Sequence, residues 1–407
     1  MSRLDELIKE LAPTGVQSVA LGEIGEFVRG NGLQKADLTD EGTPAIHYGQ
    51  IHTHYSIWTD STKSFTAPSL AAKLRHAHPG DLVIATTSED DAAVAKATAW
   101  LGDCDVVVSG DAYIYRHTQD PRYVAYYFQS NQFQDQKKRH ITGTKVRRVS
   151  GESLAKIQIP VPPLEVQREI VLILEQFREL EVELEAELEA RHQQYQHYAG
   201  LLLVSGDEVP RVKFGDVATI VRGASPRPIQ KFITESVDGL PWIKIGDVPA
   251  HGKFITGTRQ RVTADGAAKS RRVCPGDFVL SNSMSFGRPY ISKIEGYIHD
   301  GWLAISEFQE SFVSDYLYYL LRSAPIQQEF ARRAGSGTVK NLNAEIVRSI
   351  EIPVPPRKTQ ERVVELLDKF DALVNDEQVG LPAEIASRRQ QYEHYRDRLM
   401  TFAEATV

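Results

Sequence analysis

The chain is written twice. Residues 157–177 read IQIPVPPLEVQREIVLILEQF and residues 350–370 read IEIPVPPRKTQERVVELLDKF; aligned without a gap, 10 of 21 positions are identical at an offset of 193. A second block repeats as RHQQYQHY at 191–198 and RRQQYEHY at 388–395. Solenoid units run roughly 20–50 residues. A repeat near half of a 407-residue chain therefore means two whole domains, each followed by its own long helix. A protein with internal two-fold symmetry suits a ligand with two-fold symmetry, and duplex DNA is the commonest of these.

The net charge of −7 argues against a nucleic-acid partner until its distribution is read. Residues 165–189 hold nine glutamates and two arginines, which account for all of it. The rest is balanced, and basic clusters stand out. Lys137, Lys138, Arg139, Lys145, Arg147 and Arg148 fall in a stretch with no acid, and Arg332, Arg333 and Lys340 take the corresponding place in the second repeat. A smaller cluster is Lys269, Arg271, Arg272. No run of 18 apolar residues suggests a membrane span. The N-terminus MSRLDELIKELAPTG lacks the apolar core of a signal peptide. Cys104 and Cys274 lie in separate halves without metal-type spacing, which fits a reducing cytoplasm.

Propensity predicts an α+β chain. A helix over residues 2–11 precedes short β-type runs at Val16–Phe27, Ala45–Ile51, Leu82–Thr87 and Ala112–Tyr115. A helix over Pro121–Lys138 places Tyr123, Tyr126, Tyr127, Phe128 and Phe133 mostly on one face, as core packing. The second half copies this order: GDVATIVRG at 215–223 follows GEIGEFVRG at 22–30, and PGDFVLSNS at 275–283 follows PGDLVIATT at 79–87. The IPVPP segments are stiff and extended, because proline fixes φ and removes donors. Apolar steps of three and four then mark a coiled-coil seam. The seam residues are Ile170, Phe177, Leu184, Leu188, Tyr195 and Tyr198 in the first helix and Val363, Phe370, Tyr392 and Tyr395 in the second, which Gly380–Pro382 interrupts. The expected architecture is two strand-rich domains (1–155 and 207–348) and two helical spacers (156–206 and 349–407). Antiparallel packing of the spacers as a coiled coil gives pseudo-two-fold symmetry. The glutamate run suits either solvation or a basic partner.

These blocks resemble the specificity subunits of type I restriction-modification systems. The likeness rests on the two IPVPP–helix blocks, the QQYxHY ends at 193–198 and 390–395, the segments GEIGEFVRG and GDVATIVRG, and PGDLVIATTSEDD and PGDFVLSNS. It covers essentially the whole chain. It implies that each globular domain reads one half of a bipartite, asymmetric duplex DNA sequence. The helices would set the gap and dock two methyltransferase subunits, joined by two restriction subunits. S-adenosylmethionine, ATP and magnesium would belong to those partners, with no cofactor in this chain. One departure is visible: four extra residues separate the blocks of the second helix.

The residues carry no glycine-rich cofactor loop with an Asn/Asp-Pro-Pro-aromatic motif, no GxxxxGK[ST] and no convincing nuclease acid pair, so a non-catalytic subunit is expected. His47, His52 and His54 alternate on an expected strand but lack an acid or cysteine partner, and no metal site is assigned. Phosphate contacts are expected from Lys137, Lys138, Arg139, Thr144, Lys145, Arg147 and Arg148, and from Arg332, Arg333, Gly337, Thr338 and Lys340. Base reading needs directional donors and acceptors. Polar loop residues that offer them are Asn31, Gln34, Gln50, His52, Thr87 and Ser88, then Arg222, Arg227, Lys244, Asp247, Asn282, Ser283 and Arg288. A self-sufficient DNA-modifying enzyme and a coiled-coil scaffold are the alternatives.

Overall fold

The computed structural model describes residues 3–204, 209–248, 252–283, 286–334 and 341–405. They form two compact units, Met1–Leu184 with Ile385–Val407, and Glu185–Glu384.

The 193-residue offset governs both units. In the first, Ser18–Ala20 pairs antiparallel with Gln158–Pro160, Ser18 opposite Pro160. In the second, Arg211–Lys213 pairs with Glu351–Pro353, Arg211 opposite Pro353. Each IPVPP segment thus closes its domain on that domain's own first strand. These are two-stranded ribbons with the proline at the end of the pairing, where a missing N–H is tolerated.

Two sheets follow in each unit. The first unit has a five-stranded sheet ordered Gly25–Arg29, Ala112–His117, Leu82–Ala85, Ala97–Trp100, Trp58–Thr59. Its four-stranded partner is ordered Ser64–Thr66, Thr43–Ile46, Val106–Val108, His76–Ala77. The second unit repeats both: Thr219–Arg222, Trp302–Ser306, Phe278–Ser281, Pro289–Ser292, Phe254–Ile255, and then Ile233–Thr234, Gln260–Val262, Leu240–Ile243, Gly296–Ile298, Arg271–Val273. The central strands are buried on both faces, so they read as continuous apolar runs. Alternate residues serve different cores. Leu82 and Ile84 meet the aromatic helix, while Val83 and Ala85 pack with Ile46 and Trp100.

Three sequence expectations change. The Val16–Phe27 run breaks into Ser18–Ala20, a helical turn Leu21–Ile24 and Gly25–Arg29. Ala45–Ile51 is strand only to Ile46, and Tyr48–Thr53 is helix with His47 as its cap, Nδ1 accepting from Gly49 N at 3.2 Å. The expected alternation of His47, His52 and His54 on a strand therefore does not occur. The aromatic stretch is two helices, Pro121–Tyr127 and Asn131–Lys138. Ser130 divides them, its hydroxyl donating to Tyr127 O at 2.7 Å and accepting from Phe133 N at 3.3 Å. Its copy Ser323 donates to Leu320 O at 2.7 Å. Tyr123, Tyr126, Tyr127, Phe128 and Phe133 are all buried.

The first long helix runs Leu164–Val204; the second is Arg357–Asn375, a turn, and Leu381–Leu399. The four extra residues fall at that turn. Asp376 Oδ1 accepts from Gln378 N at 2.7 Å, and a Cβ at Gly380 would lie 2.4 Å from Ala372 O. Within the first unit Phe177 stacks on Tyr395 at 5.3 Å and Glu181 pairs with Arg389, so the helices run antiparallel there. Ile170 and Val363 lie in the cores of the first and second units, which removes them from an exposed docking seam. Tyr392 and Tyr195 are half-buried against those same cores, Leu184, Leu188 and Phe370 are half-buried, and Tyr198 is exposed. Among the described residues no helix is long and apolar enough to cross a membrane.

Candidate nucleic-acid interface

In the first unit the second part of the basic cluster, residues 142–148, folds as a hairpin. Thr142 and Arg148 exchange backbone hydrogen bonds of 2.9 Å in both directions. Gly143 turns the chain at φ +91°, where a Cβ would lie 2.1 Å from Val146 O. Thr144, Lys145 and Arg148 are exposed. The hairpin then pairs with the polar strand, Arg147 opposite Ser88 and Arg148 opposite Thr87. On the far side of that strand His52 Nε2 lies 2.9 Å from Thr87 O. Expected phosphate contacts and expected readers thus share one surface: Lys145, Arg147 and Arg148 beside Ser88 and His52. Lys138 and Arg139 are exposed nearby, Lys138 paired with Asp135 at 2.8 Å.

Other expected contacts are corrected. Lys137 is fully buried, and its three donors go to Ala92 O at 3.0 Å, Val94 O at 2.9 Å and Gln134 Oε1 at 2.5 Å. It has none left for a phosphate. Asn31 spends its amide on backbone, accepting from Arg75 N at 2.7 Å and donating to Lys73 O at 3.3 Å. Gln50 accepts from His47 N at 3.0 Å and donates to Ser64 Oγ at 2.7 Å. Thr87 is 7% exposed, so its strand and not its hydroxyl is on offer. Gln34 remains exposed.

In the second unit the loop Ile298–Gly301 gathers four expected readers. Arg222 Nε donates to Asp300 O at 3.1 Å and Asn282 Nδ2 to the same oxygen at 2.9 Å. Arg227 approaches the Asp300 carboxylate at 3.7 Å, and Ser225 Oγ donates to it at 2.9 Å. Lys244 joins Ser225, Arg227, Trp242, His299 and Asp300 around a cavity of about 310 Å³. The Ser225 hydrogen bond, with His299 and Arg222 nearby, holds the Asp300 carboxyl below its ordinary range. Burial lowers His299, whose Nδ1 accepts from Gly301 N at 2.9 Å, so the neutral ring presents a proton on Nε2. The cleft offers carboxylate acceptors and guanidinium donors side by side, the groups that distinguish base edges.

Here too some readers turn inward. Asp247 accepts from Lys244 N at 2.9 Å and Arg259 N at 3.1 Å, capping its own turn. Asn282 is only 3% exposed and braces the loop. Ser283 and Arg288 are half-buried, Arg288 at the rim of a second cavity with Phe286 and Gln327. Arg332 and Arg333 both bond Glu329, which they hold at a pKa of about 2, and Arg333 also donates to Ser349 Oγ at 2.8 Å. One carboxylate answers two guanidiniums, so a net positive charge remains here, with Arg332 exposed and Arg333 half-buried. Gly337, Thr338 and Lys340 lie outside the described residues.

Arg29 was not singled out by the sequence reading, yet it is the copy of Arg222. Its Nε donates to Gly110 O at 2.9 Å and its Nη2 lies 3.8 Å from Asp111. The signal was present as VRG at 28–30 and 221–223. The glycines explain the motif: a Cβ at Gly30 would lie 2.2 Å from Ser109 O, and one at Gly223 2.0 Å from His299 O. Among the described residues no group of three His, Cys, Asp or Glu could hold a metal.

Similarity to known proteins agrees with this repeated construction. The EcoR124I/EcoR124II type I restriction enzyme specificity subunit of Escherichia coli is 31% identical over 267 residues, 62% of this chain. The putative type I restriction enzyme specificity subunit S.HindORF215P of Haemophilus influenzae is 30% identical over 277 residues, 65% of this chain. The chain spans just under two thirds of the first relative's length, 65%, and 68% of the second's. The fold matches a chain from a study of complex assembly and conformational transition of the type I R-M system, at TM-score 0.71 and 19% identity over 95% of this chain and 98% of that one. It also matches the HsdS subunit of Thermoanaerobacter tengcongensis, at TM-score 0.57 and 19% identity over 96% and 97% of the two chains. The family model described as "Type I restriction modification DNA specificity domain" matches twice, at residues 13–191 and 207–387, and the chain belongs to that family.

Proposed function

We propose that the chain is the non-catalytic, cytoplasmic specificity subunit of a type I restriction-modification complex. Each sheet-rich domain reads one half of a bipartite, asymmetric duplex site. The helical segments set the gap and dock two methyltransferase subunits and, through them, two restriction subunits. S-adenosylmethionine, ATP and magnesium belong to those partners. The observation that carries this reading is the double construction of one polar surface. Arg29 and Arg222, 193 residues apart, hold equivalent loops at Gly110 and Asp300, while the residues around them differ. Arg227, Lys244 and His299 stand in one unit, and His52, Ser88 and the basic hairpin in the other. A shared frame with different readers suits two unlike half-sites. Phosphate contacts supply affinity and register, and base edges supply the sequence.

The test is a reconstitution. The purified chain alone, given S-adenosylmethionine and duplex DNA, is expected to transfer no methyl group and to cut nothing. Adding the methyltransferase subunit of its own system is expected to give salt-sensitive, site-specific methylation. Methyl transfer or cleavage by the chain alone contradicts a non-catalytic subunit.

A further inference from the structure

We propose that Lys137 is a positioning residue for the first half-site: from inside the domain it fixes the acidic turn on which the basic hairpin and the reading strand both hang. This rests on the DNA-reading role proposed above.

A buried ammonium is kept only where its donors are fully used, and here all three are. The repeat shows that the fold does not require it. The offset of 193 takes Lys137 to Phe330, which is equally buried. The neighbouring residues keep their roles across the same offset. Gln134 donates to Phe128 O at 2.9 Å, and Gln327 to Leu321 O at 2.6 Å. The second unit holds its facing loop with a neutral group instead, Gln327 Nε2 donating to Gly287 O at 2.8 Å. The charge in the first unit therefore answers to what faces it there.

What faces it is the turn Asp90–Ala95. Val94 N bonds Asp90 O at 3.1 Å, and Ala95 takes a left-handed φ of 62°, rare for a residue with a side chain. Lys137 holds the carbonyls of Ala92 and Val94. Outward from this anchor, Asp91 Oδ1 lies 2.7 Å from Arg147 Nε, and Arg147 Nη1 donates to Gly143 O at 2.6 Å. Asp90 N also bonds Ser88 Oγ at 3.2 Å. One buried charge thus sets both the Arg147 guanidinium and the strand beside it. Burial lowers Lys137 to a pKa of about 8, against Asp90 and Asp91, which raise it, and with Lys138, which lowers it further. Above that pH the neutral amine has two donors for three acceptors.

The experiment uses the full chain in complex with its methyltransferase subunit and a duplex library with a randomised core, sequencing what binds. Wild type at pH 7 is expected to select two half-sites. Lys137→Met is expected to keep one and to lose about tenfold in selectivity at the other. Asp91→Asn, a change at an exposed carboxylate, is expected to degrade that same half-site, and the double variant to do no more. Raising the pH to 9 is expected to weaken that half-site in wild type and to leave Lys137→Met unchanged. Full selectivity at both half-sites in Lys137→Met and Asp91→Asn overturns the proposal while leaving DNA reading intact. Equal weakening of both half-sites overturns it as well, since that is the mark of general destabilisation. A wild-type complex that selects no sequence overturns the DNA-reading function and this proposal with it.

Discussion

Gln360→Ala is expected to destabilise the second unit by about 3 kcal/mol. Gln360 is 1% exposed and ties two segments of chain, 311–313 and 355–360, together. Its Oε1 accepts from Val313 N at 2.8 Å, and its Nε2 donates to Ser311 O at 2.8 Å and Pro355 O at 2.9 Å. Alanine leaves a buried N–H and two carbonyls unanswered, at about 1 kcal/mol or more each. Gln167 does the same work in the first unit, accepting from Asp120 N at 3.0 Å and donating to Gln119 Oε1 and Pro162 O at 2.8 Å each. Gln167→Ala is expected to match it. For a unit of this size the loss corresponds to a fall of roughly 6–12 °C in melting temperature, read by calorimetry on the full chain. A change under about 2 °C means that the amide is not what locks the aromatic helix to the IPVPP segment. This also explains why glutamine survives in both IPVPPxxxQ blocks: it is the bolt between the proline segment and the start of the aromatic helix.

The largest effect on binding is expected from removing Lys145, Arg147 and Arg148 together by alanine substitution. All three lie on the hairpin paired with Thr87–Ser88, and none is in a core. Removing one cation that neutralises a phosphate lowers the slope of log K against log salt by nearly one; Lys145 and Arg148 are exposed while Arg147 pairs with Asp91, so the triple variant is expected to lose about two. At 0.1 M salt that amounts to a loss of affinity of roughly fiftyfold in the complex with the methyltransferase subunit. Melting temperature is expected to stay within a degree or two, because surface charges contribute little to stability. A salt titration of binding checks both numbers. An unchanged slope moves the DNA-binding surface elsewhere and favours a scaffold whose globular ends bind protein.

The fold was legible where side-chain chemistry repeats. The 193-residue offset predicts two like domains, each with an aromatic helical stretch and an extended IPVPP segment before a long helix, while the pairing of that segment with the entry strand and the break at Ser130 come from tertiary packing. The interruption at Gly380–Pro382 was legible as well: a glycine fitted against Ala372 O and Leu373 O permits no side chain. The site was less legible. Asn31, Gln50, Asp247 and Asn282 carry the groups a base reader needs, and the structure turns them onto backbone and, for the Gln50 amide N–H, onto the Ser64 hydroxyl. An amide that reads a base and one that braces a loop are the same in sequence; only tertiary packing separates them. Lys137 looked like one more cation in a basic run, and burial in a helix facing an acidic turn gave it another role. Arg29 lies at a strand end outside any charge cluster, as Arg222 does, and only the repeated VRG ties the two together.

Mapping methyladenine across a genome after co-expression of this chain with its methyltransferase subunit tests the central claim most directly. The expected result is methylation confined to one asymmetric split motif with a fixed gap, each half assignable to one domain by substitutions at His52 or Arg227. Methylation scattered without a motif, or none at all from a soluble and associated pair, contradicts it.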